Sequence, residues 1–140
     1  MRGILLAEDN PADVYLIREA LQEHGVKSPL QVAADGKEVL DIISRPAPTF
    51  GYGLIILDLN LPRHDGIEIL ERVRESGRLA HVPVVVLTSS DSPKDRQRAT
   101  GLGATRYLRK PSNLDQFLAL GSVLKELLDT ADNGGVSDED

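Results

Sequence analysis

The sequence predicts an α/β fold in which a five-stranded parallel sheet is covered by helices on both faces. Two observations carry this prediction. Short apolar runs alternate with amphipathic helical patterns five times along the 140 residues, as is typical of repeated βαβ units. Runs such as LIILDL and VPVVVL are also almost uninterrupted by polar residues, which is expected of strands that are buried on both faces.

The first two strand–helix units are defined mainly by how their helices begin and end. Asn10 can cap the first helix, because its side chain can accept a hydrogen bond from a free N–H group of the first turn. Gly25 can end this helix, and Pro46 ends the second, since proline cannot continue helical hydrogen bonding. The predicted elements are a strand at 3–9, a helix at 11–25, a strand at 30–36, a helix at 37–44 and a loop at 47–53.

The third and fourth units contain the clearest strands. The run VPVVVLTSS is rich in β-branched residues, which favour strands. In the third helix pattern Ile67, Leu70 and Val73 recur at helical spacing and predict an inward face, whereas the fourth helix pattern is polar and weak. The predicted elements are strands at 54–60 and 82–90 and helices at 66–76 and 92–103.

The fifth unit consists of a strand at 105–111 and a helix at 113–128. The predicted inward stripe of this helix comprises Leu114, Phe117, Leu118, Gly121, Leu124 and Leu128. Leu120, Val123 and Leu127 widen the apolar face beyond the roughly 100° that one buried face needs. This width predicts a homodimer that forms through the last helix, although scattered exposed apolar residues are also common on protein surfaces.

Composition restricts the domain organisation and the class of function. We expect one domain over residues 1–128 and a disordered acidic tail over 129–140. The net charge of −6 argues against nucleic-acid binding, which needs a basic surface. The chain has no cysteine and no apolar run near the roughly 20 residues of a membrane span, so we expect a cytoplasmic protein that binds no membrane.

Charged and hydroxyl side chains end four of the five predicted strands. The first strand ends at Glu8 and Asp9, the third at Asp58, the fourth at Thr88 and the fifth at Lys110. Because the carboxyl ends of parallel strands share one edge, where such folds bind their ligands, we expect these groups to meet. Three carboxylates repel one another unless cations intervene, and two charges from Mg²⁺ with one from the lysine would balance them.

The residues Glu8-Asp9, Asp58, Thr88 and Lys110-Pro111, in this order within residues 3–128, resemble the receiver domain of two-component response regulators. The motifs AEDNPAD, LDLNLPRHDG, VVLTSS and YLRKPSNLDQF look most like the stand-alone response regulators associated with phytochrome-type kinases. The resemblance implies a doubly wound, flavodoxin-like (βα)5 fold with the strand order 2-1-3-4-5.

The resemblance also implies a phosphoacceptor site. Asp58 would take a phosphoryl group from a phosphohistidine of a partner sensor histidine kinase. Glu8, Asp9 and Asp58 would hold Mg²⁺ together with the backbone carbonyl of Asn60 and water, since Mg²⁺ prefers oxygen ligands. The protein would then be a switch with Mg-dependent autophosphorylation and slow autodephosphorylation, and not a turnover enzyme.

Further residues would bind the phosphoryl group or respond to it. By the same resemblance, Lys110, the hydroxyl of Thr88 and the amide of Ser89 would contact phosphoryl oxygens. Thr88 and Tyr107 would form the conformational switch, in which the aromatic ring turns inward as the threonine moves toward the phosphate. The family also usually has a cis bond before Pro111, which would aim the lysine inward.

Two alternative functions remain open at this stage. One is a receiver-like interaction scaffold that works without phosphorylation. The other is a phosphatase-type hydrolase, which is disfavoured because such enzymes usually carry a second aspartate at the position that Asn60 occupies. The residues also have ordinary structural explanations, since Asp58 could cap a turn and Lys110 could be a surface lysine. Acids after the first strand could begin a helix, although Asn10 and Asp13 are better placed for that.

Overall fold

Five strands alternate with five helices in the part of the chain that the computed structural model describes, which is residues 2–46 and 51–137, with side chains described to residue 130. The elements are β1 (Gly3–Ala7), α1 (Pro11–Glu23), β2 (Leu30–Ala33), α2 (Gly36–Ser44), β3 (Tyr52–Leu57), α3 (Gly66–Glu75), β4 (Val84–Thr88), α4 (Pro93–Gly101), β5 (Arg106–Arg109) and α5 (Leu114–Ser137). The predicted alternation of strands and helices is therefore confirmed.

The sheet has the strand order β2-β1-β3-β4-β5, and all neighbouring strands are parallel. This confirms the predicted fold and the predicted order 2-1-3-4-5. Ala7 pairs with Ala33 on one side and with Leu57 on the other, and Thr88 pairs with Arg109. Because each of these residues is the last of its strand, the carboxyl ends of the five strands form one edge of the sheet, here called the carboxyl rim.

Each face of the sheet has its own apolar core. Helices α1 and α5 cover one face, where Ile17 and Phe117 are buried. Helices α2, α3 and α4 cover the other face through residues such as Val39, Leu70 and Ala99. Burying one large apolar side chain contributes roughly 1.5–3 kcal/mol, so both cores hold rigidly the strands that carry the rim.

The predicted ends of α1 and the predicted inward face of α3 are confirmed. The Asn10 side chain accepts a hydrogen bond from the N–H of Ala12 at 2.9 Å, and Gly25 has a φ of +74°, a left-handed conformation that glycine adopts without strain. In α3 the predicted inward residues Ile67, Leu70 and Val73 are all buried.

Helix α5 packs against the sheet from its fourth residue onward. The buried or half-buried members of its predicted stripe are Phe117, Leu118, Gly121, Leu124 and Leu128. Leu114 is 58% exposed, so its predicted inward position is wrong, because the first turn of the helix precedes the contact with the sheet. Neither α5 nor any other described helix combines the length and apolar character of a membrane span.

Most predicted boundaries differ from the structure, and all five strands end earlier than predicted. Strand β3 begins at Tyr52, earlier than predicted, and residues 47–50 of the predicted loop lie outside the described residues. Helix α5 continues to Ser137, past its predicted end at Leu128. The disordered tail predicted for 129–140 reaches beyond the described residues and stays a prediction.

Candidate functional site

The carboxyl rim carries three charged residues in fixed positions just beyond the strand ends. The N–H groups of Glu8, Asp58 and Lys110 each donate to a carbonyl oxygen of a neighbouring strand at 2.8–3.0 Å. These hydrogen bonds continue the sheet by one residue past β1, β3 and β5. The three side chains therefore leave one edge of a rigid sheet, as the sequence predicts.

An acidic cluster of Glu8, Asp9 and Asp58 forms at this rim. One carboxylate oxygen of each residue lies within 4.8 Å of the others. Glu8 and Asp58 are almost completely buried, whereas Asp9 is exposed, so the cluster has an open side toward solvent. Oxygen donors in this arrangement fit a hard divalent cation such as Mg²⁺ or Mn²⁺, which retains waters on its open side.

Lys110 neutralises part of this cluster. Its Nζ lies 2.8 Å from Oε1 of Glu8, 2.8 Å from Oδ2 of Asp58 and 2.8 Å from Oδ2 of Asp13. An ammonium group has three N–H donors, so all of them point at carboxylates. Burial alone would lower the pKa of Lys110, but these three hydrogen bonds outweigh burial and raise the pKa, so the lysine is a cation.

Glu8 shows the opposing influences on a buried acid at the rim. Burial raises the pKa of Glu8, and the charge of Asp58 adds to that rise. Hydrogen bonds from Lys110 and from the N–H of Asn10 favour the carboxylate and offset part of the rise. An additional cation nearby would therefore stabilise the ionised form of Glu8.

Asp13 is the site residue that the sequence reasoning missed. The sequence pattern favours a capping role for Asp13 at the start of α1, but Asn10 makes the cap and the carboxylate of Asp13 contacts Lys110. With Asp13 the rim holds four acids, and subtracting one charge for the lysine and two for a bound cation leaves one negative charge. The neutral balance predicted from three acids is therefore wrong. The available signal was its position in the first turn after β1, beside the rim.

Thr88 and Asn60 are joined directly at the rim. The side chain of Thr88 is completely buried, and its Oγ1 accepts hydrogen bonds from Nδ2 of Asn60 at 3.2 Å and from the N–H of Ser90 at 3.3 Å. The N–H of Asn60 donates to Oδ1 of Asp58 at 3.0 Å. The turn after β3 is thus hydrogen-bonded to both the acid and the hydroxyl. Ser89 lies exposed at the rim, and the contact of its amide with phosphate stays a prediction.

Tyr107 is tied to the loop that follows Thr88. Its hydroxyl donates to the carbonyl oxygen of Ser90 at 3.3 Å, and the guanidinium of Arg96 lies 5.4 Å from the ring centroid, within the range of a cation–π contact. The side chain of Ser90 donates to Asp95 at 3.0 Å, which fastens the loop to α4. A movement of Thr88 would therefore change the position of Ser90 and, through Ser90, the hydrogen bond of Tyr107.

The cis bond expected before Pro111 is not present. None of the peptide bonds among the described residues is cis, which agrees with the general preference for trans even before proline. Lys110 is directed inward instead by its three ion pairs.

A family model and several curated proteins match this chain. The family model described as the response regulator receiver domain matches residues 4–120. The chain is 36% identical over 129 residues to the probable methanogenesis regulatory protein FilR2 of Methanothrix harundinacea, covering 88% of this chain and 81% of that protein. It is 36% identical over 124 residues to the response regulator Rcp1 of Synechocystis, covering 84% and 82%. Other curated relatives are longer, and the chain spans 42% of the transcriptional regulatory protein TrcR of Mycobacterium tuberculosis.

Solved structures show the same similarity. The phosphorylated cyanobacterial phytochrome response regulator RcpA superposes with a TM-score of 0.82 at 33% identity, over 91% of this chain and 93% of that one. The Mn²⁺-bound form of Rcp1 superposes with a TM-score of 0.80 at 31% identity, over 89% and 92%. That a relative with this fold binds a divalent cation agrees with the donor set at the rim.

Proposed function

Because the chain belongs to the response regulator receiver domain family, we propose that it is a phosphoacceptor switch, in which Asp58 takes a phosphoryl group from a partner sensor histidine kinase. One observation carries the proposal. The buried carboxylate of Asp58 lies 2.8 Å from Lys110 and within the acidic cluster, so a nucleophile, a cation and a metal-binding group meet at one point.

The proposed transfer is an in-line displacement at phosphorus. A carboxylate oxygen of Asp58 forms the new O–P bond while the P–N bond of the kinase phosphohistidine breaks, which leaves an acyl phosphate and the free imidazole. Such transfers depend mainly on positioning and on neutralising charge. Mg²⁺ bound by Glu8, Asp9 and Asp58, with the carbonyl of Asn60, would supply part of that neutralisation. Lys110 is already within reach to donate to a phosphoryl oxygen.

The conformational response would begin at Thr88. To donate its hydroxyl to a phosphoryl oxygen, Thr88 must loosen its contacts with Asn60 and Ser90, and Tyr107 would follow because it is bonded to Ser90. Thr88 and Tyr107 are therefore the proposed switch. The changed surface of this loop and of β5 would be read by another protein, and the acyl phosphate would be lost by slow hydrolysis without further turnover.

The nature of the partner is proposed from the relatives. RcpA is a phytochrome response regulator, which supports a phytochrome-type histidine kinase as the donor, acting in the cytoplasm. A homodimer through α5 is also proposed. Leu120 and Leu127 already pack partly against their own core and Val123 is half-buried, so the remaining apolar area available to a second copy is smaller than the sequence predicted.

Phosphoryl uptake by purified protein tests the proposed function. The chain would be incubated with Mg²⁺ and acetyl phosphate, and the intact mass measured. We expect a gain of one phosphoryl group in the wild type, loss of that gain in Asp58→Asn, and a normal gain in the control Asp91→Asn, which removes an exposed acid from the loop after β4. Absence of uptake by the wild type from acetyl phosphate and from kinase would support the interaction scaffold instead.

A further inference from the structure

Asp13 has a contact that the proposed mechanism does not use. It stands in the first turn of α1, its side chain is 18% exposed, and its Oδ2 lies 2.8 Å from Nζ of Lys110. In the described part of the chain this lysine is the only ion-pair or hydrogen-bond partner of the Asp13 carboxylate. Asp13 also lies outside the acidic cluster of Glu8, Asp9 and Asp58.

We propose that Asp13 is a positioning residue that holds the ammonium group of Lys110 toward α1 and so leaves Glu8 and Asp58 available to a divalent cation. The inference rests on the proposed function, since it concerns the same rim. Two of the three carboxylates around Lys110, those of Glu8 and Asp58, are also part of the acidic cluster. Among the residues that the structure describes, the carboxylate of Asp13 contacts only the lysine.

The reason is competition between two cations for the same oxygens. Lys110 and a divalent cation both need Glu8 and Asp58, and positive charges a few ångströms apart repel strongly where water is partly excluded. Asp13 draws one N–H of the ammonium away from the cluster and compensates its charge. Without Asp13 the lysine would turn all its donors to the cluster and would oppose cation binding.

The same anchor would serve after phosphoryl transfer. When Asp58 carries the phosphoryl group, Lys110 must exchange its bond to the Asp58 carboxylate for one to a phosphoryl oxygen. The bond to Asp13 can persist through that exchange, because neither the phosphoryl group nor the cation binds to the Asp13 carboxylate. The ammonium group of Lys110 thus stays in a defined position during the exchange.

A double-mutant cycle on cation affinity tests the inference, because such a cycle isolates the coupling between two residues. The Mg²⁺ dissociation constant would be measured by titration calorimetry for the wild type, Asp13→Asn, Lys110→Met and the double variant. With Lys110 present, we expect Asp13→Asn to weaken Mg²⁺ binding about tenfold, as loss of one charge interaction in a partly buried site implies. In the Lys110→Met background the same change should weaken binding less than about threefold, because only the direct charge effect remains.

Two further variants keep the test decisive. Asp115→Asn removes an exposed first-turn acid from α5 and should leave Mg²⁺ affinity unchanged, which controls for net charge and for loss of a helix N-terminal acid. Asp13→Glu keeps the carboxylate and should restore affinity to within about threefold of the wild type, about 0.7 kcal/mol. If Lys110→Met fails to fold, Lys110→Gln, which also removes the positive charge, takes its place in the cycle.

Equal weakening by Asp13→Asn in both lysine backgrounds, no weakening at all, or no rescue by glutamate would overturn the inference. None of these measurements requires phosphorylation. A wild type that binds Mg²⁺ with the predicted coupling but takes up no phosphoryl group would refute the proposed function and leave the role of Asp13 standing. A wild type that is phosphorylated on Asp58 but shows no coupling would do the reverse.

Discussion

Gly121 makes a close contact between α5 and the C-terminal end of α1, and replacing it by alanine should destabilise the protein measurably. A Cβ at this position would lie 2.2 Å from the carbonyl oxygen of Ala20 and 2.4 Å from the ring of His24. The histidine ring can rotate away, but the carbonyl belongs to the backbone of the last turn of α1. An ordinary van der Waals contact of a Cβ begins at about 3.4 Å, so the two helices must separate by about 1 Å.

The magnitude follows from two opposing effects. Overpacking of a close contact costs typically about 1–3 kcal/mol, whereas alanine in a helix interior is favoured over glycine by up to about 1 kcal/mol. The net loss of unfolding free energy for Gly121→Ala should therefore be about 1–2 kcal/mol, which corresponds to a fall in Tm of about 3–8 °C for a domain of this size.

Urea and thermal unfolding followed by circular dichroism would measure this loss. The matched control is Gly101→Ala at the end of α4, where an added Cβ meets nothing within 4 Å, and it should be neutral or slightly stabilising. A Gly121→Ala protein as stable as the control would show that α1 and α5 do not approach as closely as the structure has it.

Three other perturbations have definite expected outcomes. The folded-state pKa of Lys110 is raised above the ordinary 10.5, so the contribution of Lys110 to stability is present below pH 10.5 and is lost as pH rises through the higher folded-state pKa. The difference in unfolding free energy between wild type and Lys110→Met should therefore stay constant up to pH 10.5 and shrink above pH 10.5. A difference that already shrinks well below pH 10.5 would contradict the assigned ion pairs. Asn60→Ala removes the hydrogen bond that Asn60 donates to Thr88 in the resting state. Since such a bond contributes about 0.5–1.5 kcal/mol, the variant should bind beryllofluoride, an acyl-phosphate mimic, about two- to tenfold more tightly than the wild type. Weaker binding would show that the amide stabilises the active state instead. Light scattering should give a dimer mass at high protein concentration, and a monomer mass at every concentration, with and without beryllofluoride, would exclude the α5 dimer.

Much of the fold follows from the sequence because its strands are uninterrupted apolar runs. Once the sheet is parallel, the last residues of the strands must share one rim, and so Glu8, Asp58 and Lys110 could be placed together without coordinates. The position of Leu114 could not be predicted in this way, because helical periodicity marks a face but not the residue at which that face first meets the sheet.

Contacts that depend on side-chain direction were beyond the sequence argument. Asp13 has the spacing of a capping residue, and only the folded structure shows that it reaches a lysine 97 positions away. The hydrogen bond from Asn60 to Thr88 likewise joins two turns that are distant in sequence. In both cases the pattern gives the residue type, and the tertiary arrangement gives its partner.

The central claim is that phosphoryl transfer occurs on Asp58 at this rim. It is tested most directly by trapping the acyl phosphate: the protein is phosphorylated with acetyl phosphate and Mg²⁺, reduced with borohydride, which converts an aspartyl phosphate to homoserine, and mapped by peptide mass spectrometry. We predict homoserine at position 58 and at no other aspartate. Homoserine at a different position, or none in a protein that has gained a phosphoryl group, would contradict the account.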